Sequence, residues 1–61
     1  MNKLKEYRER RKMSQAELAY VVGVTPRYIA FIEAGQRSPS LKLAVKIAKL
    51  FKASVEDIFL P

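Results

Sequence analysis

The sequence predicts an all-α fold: a compact bundle of five short helices in one domain over residues 1–61. Three observations carry this. Helix start and stop signals recur along the whole chain, and between them apolar residues repeat every three or four positions and never alternate as a strand requires. Hydrophobic residues make up 49% of the chain, enough for one modest core. No linker, internal repeat or low-complexity tract divides it.

The first helix is expected over residues 3–12, with Asn2 as N-cap, Leu4 and Tyr7 on one face, and Glu6 four residues before Arg10. Ser14 then stands three residues before Glu17, a capping box that opens a second helix running to about Val22, where Gly23 ends it. Thr25 followed by Pro26 starts a third helix, because Thr caps well and Pro suits a first position that needs no amide donor. That helix runs to about Ala34, and Gly35 stops it. Gln36-Arg37-Ser38-Pro39-Ser40 is a polar loop. From Leu41 to Phe51, the apolar Leu43, Ile47, Leu50 and Phe51 oppose Lys42, Lys46 and Lys49, which describes an amphipathic helix. Ser54, three residues before Asp57, opens a short fifth helix over Val55 to Phe59.

Charge narrows the partner. Twelve Lys and Arg against six acids give a net charge of +6 and a pI near 10.0, so the expected ligand is a polyanion. With no Cys and no His, disulfides, thiolate or imidazole metal sites, and Ser-His or Cys-His nucleophilic catalysis are excluded. No metal and no cofactor is expected, and a reducing cytoplasmic setting is compatible. Leu18 to Pro26, the longest uncharged stretch, is too short and interrupted for a signal peptide or a membrane span. Glu56 and Asp57 sit at a helix start as capping residues with no partner for acid–base chemistry, so no enzymatic activity is expected.

The segment from Gln15 to Ala34 is the most informative. Two helices crossing at a steep angle through a short turn need a small residue at the crossing, which Ala19 supplies, and a left-handed turn residue, which Gly23 supplies. Leu18, Val22, Val24, Ile29 and Ile32 then point inward together. This whole pattern resembles the phage repressor and Cro type of helix-turn-helix family. The resemblance extends to Leu4 and Arg8, to Met13-Ser14-Gln15, to Ile32-Glu33-Ala34-Gly35 and to Pro39-Ser40-Leu41. It implies a lambda repressor-like bundle that binds double-stranded DNA as a two-fold homodimer, with the third helix in the major groove.

On that geometry Thr25, Pro26, Arg27, Tyr28 and Phe31 are the residues of the third helix near DNA. Arg27 can donate a fork of two hydrogen bonds to guanine, and Phe31, one turn on, can rest against thymine methyls. Tyr28 is expected at a phosphate. Gln15 and the amides at the start of the second helix are expected at another, with Arg37 and Lys42 holding the backbone further along. The resemblance also implies that Arg8 pairs with Glu33. Two departures stand out. Lys12 replaces a frequent Gly, so the first turn either takes a strained left-handed residue or another shape, and Phe31 replaces a commoner polar residue.

Arg10 to Lys12 read as a solvated helix face with partial phosphate contact, and Lys46, Lys49 and Lys52 as plain solvated surface. A nucleic-acid arm or a targeting signal is the bolder reading of the Arg8 to Lys12 run. At the C-terminal end Ile58 is expected inward, leaving Val55, Phe59 and Leu60 as an apolar patch for a two-fold partner. The expected function is a sequence-specific transcription regulator that represses as a homodimer, with an antitoxin-type autorepressor that also binds a toxin as the alternative. A membrane-surface module built on the fourth helix is disfavoured, because its apolar face is needed for the core. There is no room for an effector domain, so no small-molecule effector is expected.

Overall fold

A computed structural model of the chain describes residues 2–60, and among them five helices: α1 (Leu4–Arg10), α2 (Gln15–Val22), α3 (Pro26–Glu33), α4 (Leu41–Phe51) and α5 (Val55–Phe59). The last four each begin on a hydroxyl. Ser14, Thr25, Ser40 and Ser54 accept from the backbone N–H three residues on, at 3.0–3.1 Å. In α2 and α5 the acids Glu17 and Asp57 complete reciprocal boxes by accepting from the cap residue's own N–H.

The start of α1 is built differently from the expected N-cap. Asn2 lies one residue ahead of the cap position, Lys3, yet its Oδ1 accepts from Leu4 N at 3.0 Å while its Nδ2 donates to Ile32 O at 2.8 Å. The same side chain therefore starts α1 and satisfies a carbonyl in the last turn of α3. Next to it Lys3 N donates to Ile58 O at 2.7 Å, tying α1 to α5.

Every helix contributes to one core: Leu4, Leu18, Ile29, Ile32, Ile47 and Ile58 are each fully buried. Such a side chain contributes about 1.5–3 kcal/mol when removed from water. Ala19, 1% exposed, is buried on α2 within this core, and Val24 is half-buried against the same cluster.

Two glycines are placed by torsion. Gly23 and Gly35 have φ of 81° and 75°, and a Cβ on Gly23 would meet no described atom within 4 Å, so its backbone angle alone selects glycine. The α1–α2 turn takes the strained alternative. Lys12 has φ 55°, and α1 therefore stops at Arg10, two residues short of the expected end. Lys52, expected as ordinary surface, is a second left-handed lysine with φ 54° that caps α4.

Candidate nucleic-acid interface

The recognition segment is held from behind. Arg8, on α1, donates from Nε to Glu33 Oε2 at 2.7 Å and from Nη2 to Oε1 at 3.2 Å, a two-pronged pair whose side chains are only 9% and 6% exposed. A third nitrogen of Arg8, Nη1, donates to Met13 O at 2.8 Å, and Gln15 Nε2 donates to Glu33 Oε1 at 3.0 Å. One network thus joins α1, the α1–α2 turn, the first residue of α2 and the last of α3. No buried side-chain polar atom among the described residues is left without a partner. The hydrogen bond to Glu33 raises the pKa of Arg8 despite desolvation. For Glu33, burial pushes upward, but the hydrogen bonds from Arg8 and Gln15 with the attraction of Arg8 outweigh it and leave the carboxyl below its ordinary value.

The opposite side of α3 faces out. Ile29 and Ile32 point into the core, so residues 27, 31 and 34 share the outer face at spacings of four and three. Arg27 is exposed, and its guanidinium carbon lies 5.3 Å from the centre of the Phe31 ring. The ring supports the stem and limits where the fork can point. Phe31 and Tyr28 are half-buried, and Tyr28 Oη lies 3.5 Å from Ser38 O in the α3–α4 loop.

That loop is fastened to the back end of α3. Phe31 O accepts from Gln36 N at 2.9 Å and from Arg37 N at 3.3 Å, made possible by the left-handed Gly35. Arg37 and Lys42 are both exposed, on the loop and in the first turn of α4. The free N–H groups at the starts of α2 and α3 add partial positive charge. Taken together, an outward helix face with an Arg fork, flanking cations and helix N-termini can grip a phosphate backbone and read a groove between its strands.

Residues 4–58 match the helix-turn-helix family. The chain belongs to the phage repressor and Cro type of that family. It is similar to HTH-type transcriptional regulators of three organisms. The relative from Archaeoglobus fulgidus is 52% identical over 58 residues, covering 95% of this chain and 82% of the relative. The one from Methanocaldococcus jannaschii is 51% identical over 59 residues, covering 97% and 89%. The one from Bacillus subtilis is 50% identical over 58 residues, covering 95% and 88%. As a helix-turn-helix regulator the chain is a DNA-binding protein, and α2, the Gly23 turn and α3 are its motif.

Within this regulator the expected contact residues fall into groups. Thr25, Pro26, Arg27 and Phe31 lie on α3 or its cap, with Tyr28 leaning toward the loop that carries Arg37. Gln15 stands apart. Its amide nitrogen turns to Glu33, so its side chain supports the network as well as opening α2. The C-terminal patch is also arranged differently from the expected free surface. Val55 and Phe59 are half-buried because α5 folds back over α4, and they line a groove of about 560 Å³ with Pro39, Leu41 and Ala44. Leu60 is 56% exposed. Leu41, 76% exposed at the rim, was not among the expected residues, and its position at the start of an amphipathic helix was the available signal. Lys46, read as plain surface, reaches Val22 O at 3.5 Å, at the negative end of α2. Among the described residues no helix is long and apolar enough to cross a membrane.

Proposed function

We propose that this regulator is a cytoplasmic, non-enzymatic repressor that occupies a two-fold symmetric operator as a homodimer, reading bases chiefly through Arg27 and Phe31. The observation that supports this most is the contrast across α3: a rear face locked by Ile29, Ile32 and Glu33, and a front face whose Arg fork is held on an aromatic ring. Phosphates are gripped by Gln15 and the α2 amides, by Tyr28, Arg37 and Lys42, and by the N-cap region of Thr25 and Pro26.

One short recognition helix reads only a few base pairs, so site selectivity in a genome calls for two half-sites. Leu60, Val55, Phe59 and Leu41 form the apolar surface best suited to a two-fold partner, which would set two copies of α3 about 34 Å apart. Footprinting on the chain's own upstream region tests the whole reading. A protected two-fold site is expected, with affinity falling as salt rises at a log–log slope of about −5 to −7, as six to eight neutralised phosphates require. A flat salt response would remove it. Phe59→Glu should yield a folded monomer that binds half-sites weakly and without cooperativity. Sedimentation that finds the unaltered protein monomeric at high concentration, with and without operator, would remove the interface.

A further inference from the structure

Of the four large apolar side chains on α3, three serve the fold: Ile29 and Ile32 are fully buried, and Tyr28 is half-buried against the same core. Phe31 does not. It is half-buried without packing on the core cluster, and the Arg27 guanidinium is held against its ring, 5.3 Å from the centre. The Phe31 carbonyl accepts from Gln36 N at 2.9 Å and from Arg37 N at 3.3 Å, so the backbone that carries the ring is fixed where α3 meets the loop. Arg27 forms no ion pair among the described residues, which leaves its donors for a ligand. Four residues apart on one helix, the two side chains present a single surface with a charged half and an apolar half.

The halves differ in chemistry. The planar fork of Arg27 matches O6 and N7 of guanine, and no other base offers two adjacent acceptors in the major groove. Phe31 has neither donor nor acceptor. Its ring therefore gains only by covering apolar surface, and the apolar group on a base edge in that groove is the methyl on C5 of thymine. Cytosine methylated at C5 carries the same group. The two bases differ at C4, where thymine has an acceptor oxygen and cytosine a donor amino group, but a ring that hydrogen-bonds to neither cannot separate them.

We propose that Arg27 and Phe31 read a guanine and a neighbouring 5-methylpyrimidine as one unit, the fork taking the guanine and the ring the C5 methyl, with 5-methylcytosine accepted as thymine is. The proposal rests on the reading of α3 as the base-contacting helix and adds the group that its ring recognises. The spacing fits adjacent bases: 5.3 Å from guanidinium to ring centre exceeds one base step of roughly 3.4 Å along a strand and falls short of two. A cytosine beside the guanine lacks the methyl, and methylation at C5 supplies it. Occupancy of such a site then depends on whether that carbon is methylated. The signal is carried by the DNA itself, and the regulator needs no second ligand to respond to it.

The test begins with sites selected by the unaltered protein from a pool of random duplexes, in which the guanine whose preference is lost with Arg27→Ala is located. A thymine should stand beside it. That thymine is replaced in turn by deoxyuridine, cytosine and 5-methylcytosine, each with its complementary base opposite, and affinity is measured by fluorescence anisotropy at one fixed salt concentration. Thymine against deoxyuridine, and 5-methylcytosine against cytosine, each differ by one methyl and nothing else. Both comparisons should favour the methylated base by about four-fold per half-site, the effect of burying one such group, and by about fifteen-fold when both half-sites are changed. Phe31→Ala should bring both ratios close to one and keep the preference for guanine, with thermal unfolding verifying that it is folded. The comparisons on the unaltered protein stand whether or not that variant folds. Deoxyuridine bound as tightly as thymine, 5-methylcytosine bound no more tightly than cytosine, or a methyl preference that survives Phe31→Ala overturns the proposal alone and leaves the Arg27 readout standing. A pool that yields no guanine dependent on Arg27 overturns the reading of α3 and the proposal with it.

Discussion

The two faces of α3 are governed by different physics. On the rear, Glu33 and Arg8 sit in a nearly dry network where each charge has its partner and each donor a defined acceptor. On the front, Arg27 stands in water and is positioned only by a ring one turn away. Exposed ion contacts are worth little and are easily rearranged, whereas a buried pair tolerates no loss of either member. The rear face therefore sets the orientation of the helix, and the front face remains free to be read by, and adapted to, a ligand.

The contrast is broken most severely by removing one charge from the rear. Arg8→Ala should destabilise the fold by about 3 kcal/mol in chemical denaturation, because it strands the Glu33 carboxylate. A double-mutant cycle with Glu33→Gln should show strong coupling, and coupling below about 0.3 kcal/mol would mean that the two side chains act independently. The same pair predicts a direction in pH. Since the Glu33 pKa is lowered on folding, its contribution is complete above the ordinary carboxylate value and is lost as pH falls through the lower folded value. The acid limb of the stability profile should flatten in Glu33→Gln.

On the front face the effect should move from stability to binding. Arg27→Ala is expected to leave denaturation within about 0.5 kcal/mol of the unaltered protein while costing about 1–3 kcal/mol at the cognate site, with relaxed preference at one base pair per half-site. Equal losses on cognate and random DNA would recast Arg27 as a phosphate contact. The smallest change lies outside both faces. Lys12→Gly should stabilise the fold by about 0.5–1 kcal/mol, since a left-handed turn no longer has to accommodate a Cβ. A lowered melting temperature would show that the lysine side chain offsets its own strain.

The parts legible in the sequence were those decided within one turn of chain. Ser14, Thr25 and Ser54 bind amides three residues away, and Gly23 answers to its own torsion, so composition and spacing sufficed. The Arg8–Glu33 pair was legible only through the family resemblance, because 25 residues separate its members. Gln15 shows what was hidden. Its place at the start of α2 points to a phosphate, and it also donates to Glu33, an acceptor 18 residues away that comes within reach only once α2 and α3 have crossed. The reach of Asn2 to Ile32 and the stacking of Arg11 on Phe51 are likewise properties of assembled helices. The length of α1 was overestimated because Lys12 is marked as a left-handed residue only by the family resemblance and not by its neighbours in sequence.

The bond from Lys3 N to Ile58 O also constrains the order of events during synthesis. At about 5–20 residues per second, a ribosome needs roughly 3–11 s to make the stretch between those two residues. Small helical domains close in microseconds to milliseconds once their chain is complete. The first helix is thus made at the outset, can join α3 through Asn2 and Arg8 once Glu33 has been made, and receives its bond to α5 last. The network that holds the recognition helix lies wholly within residues 2–33 and is complete in sequence before α5 is made, so the last helix adds Ile58 to a core whose recognition segment is already tied to α1.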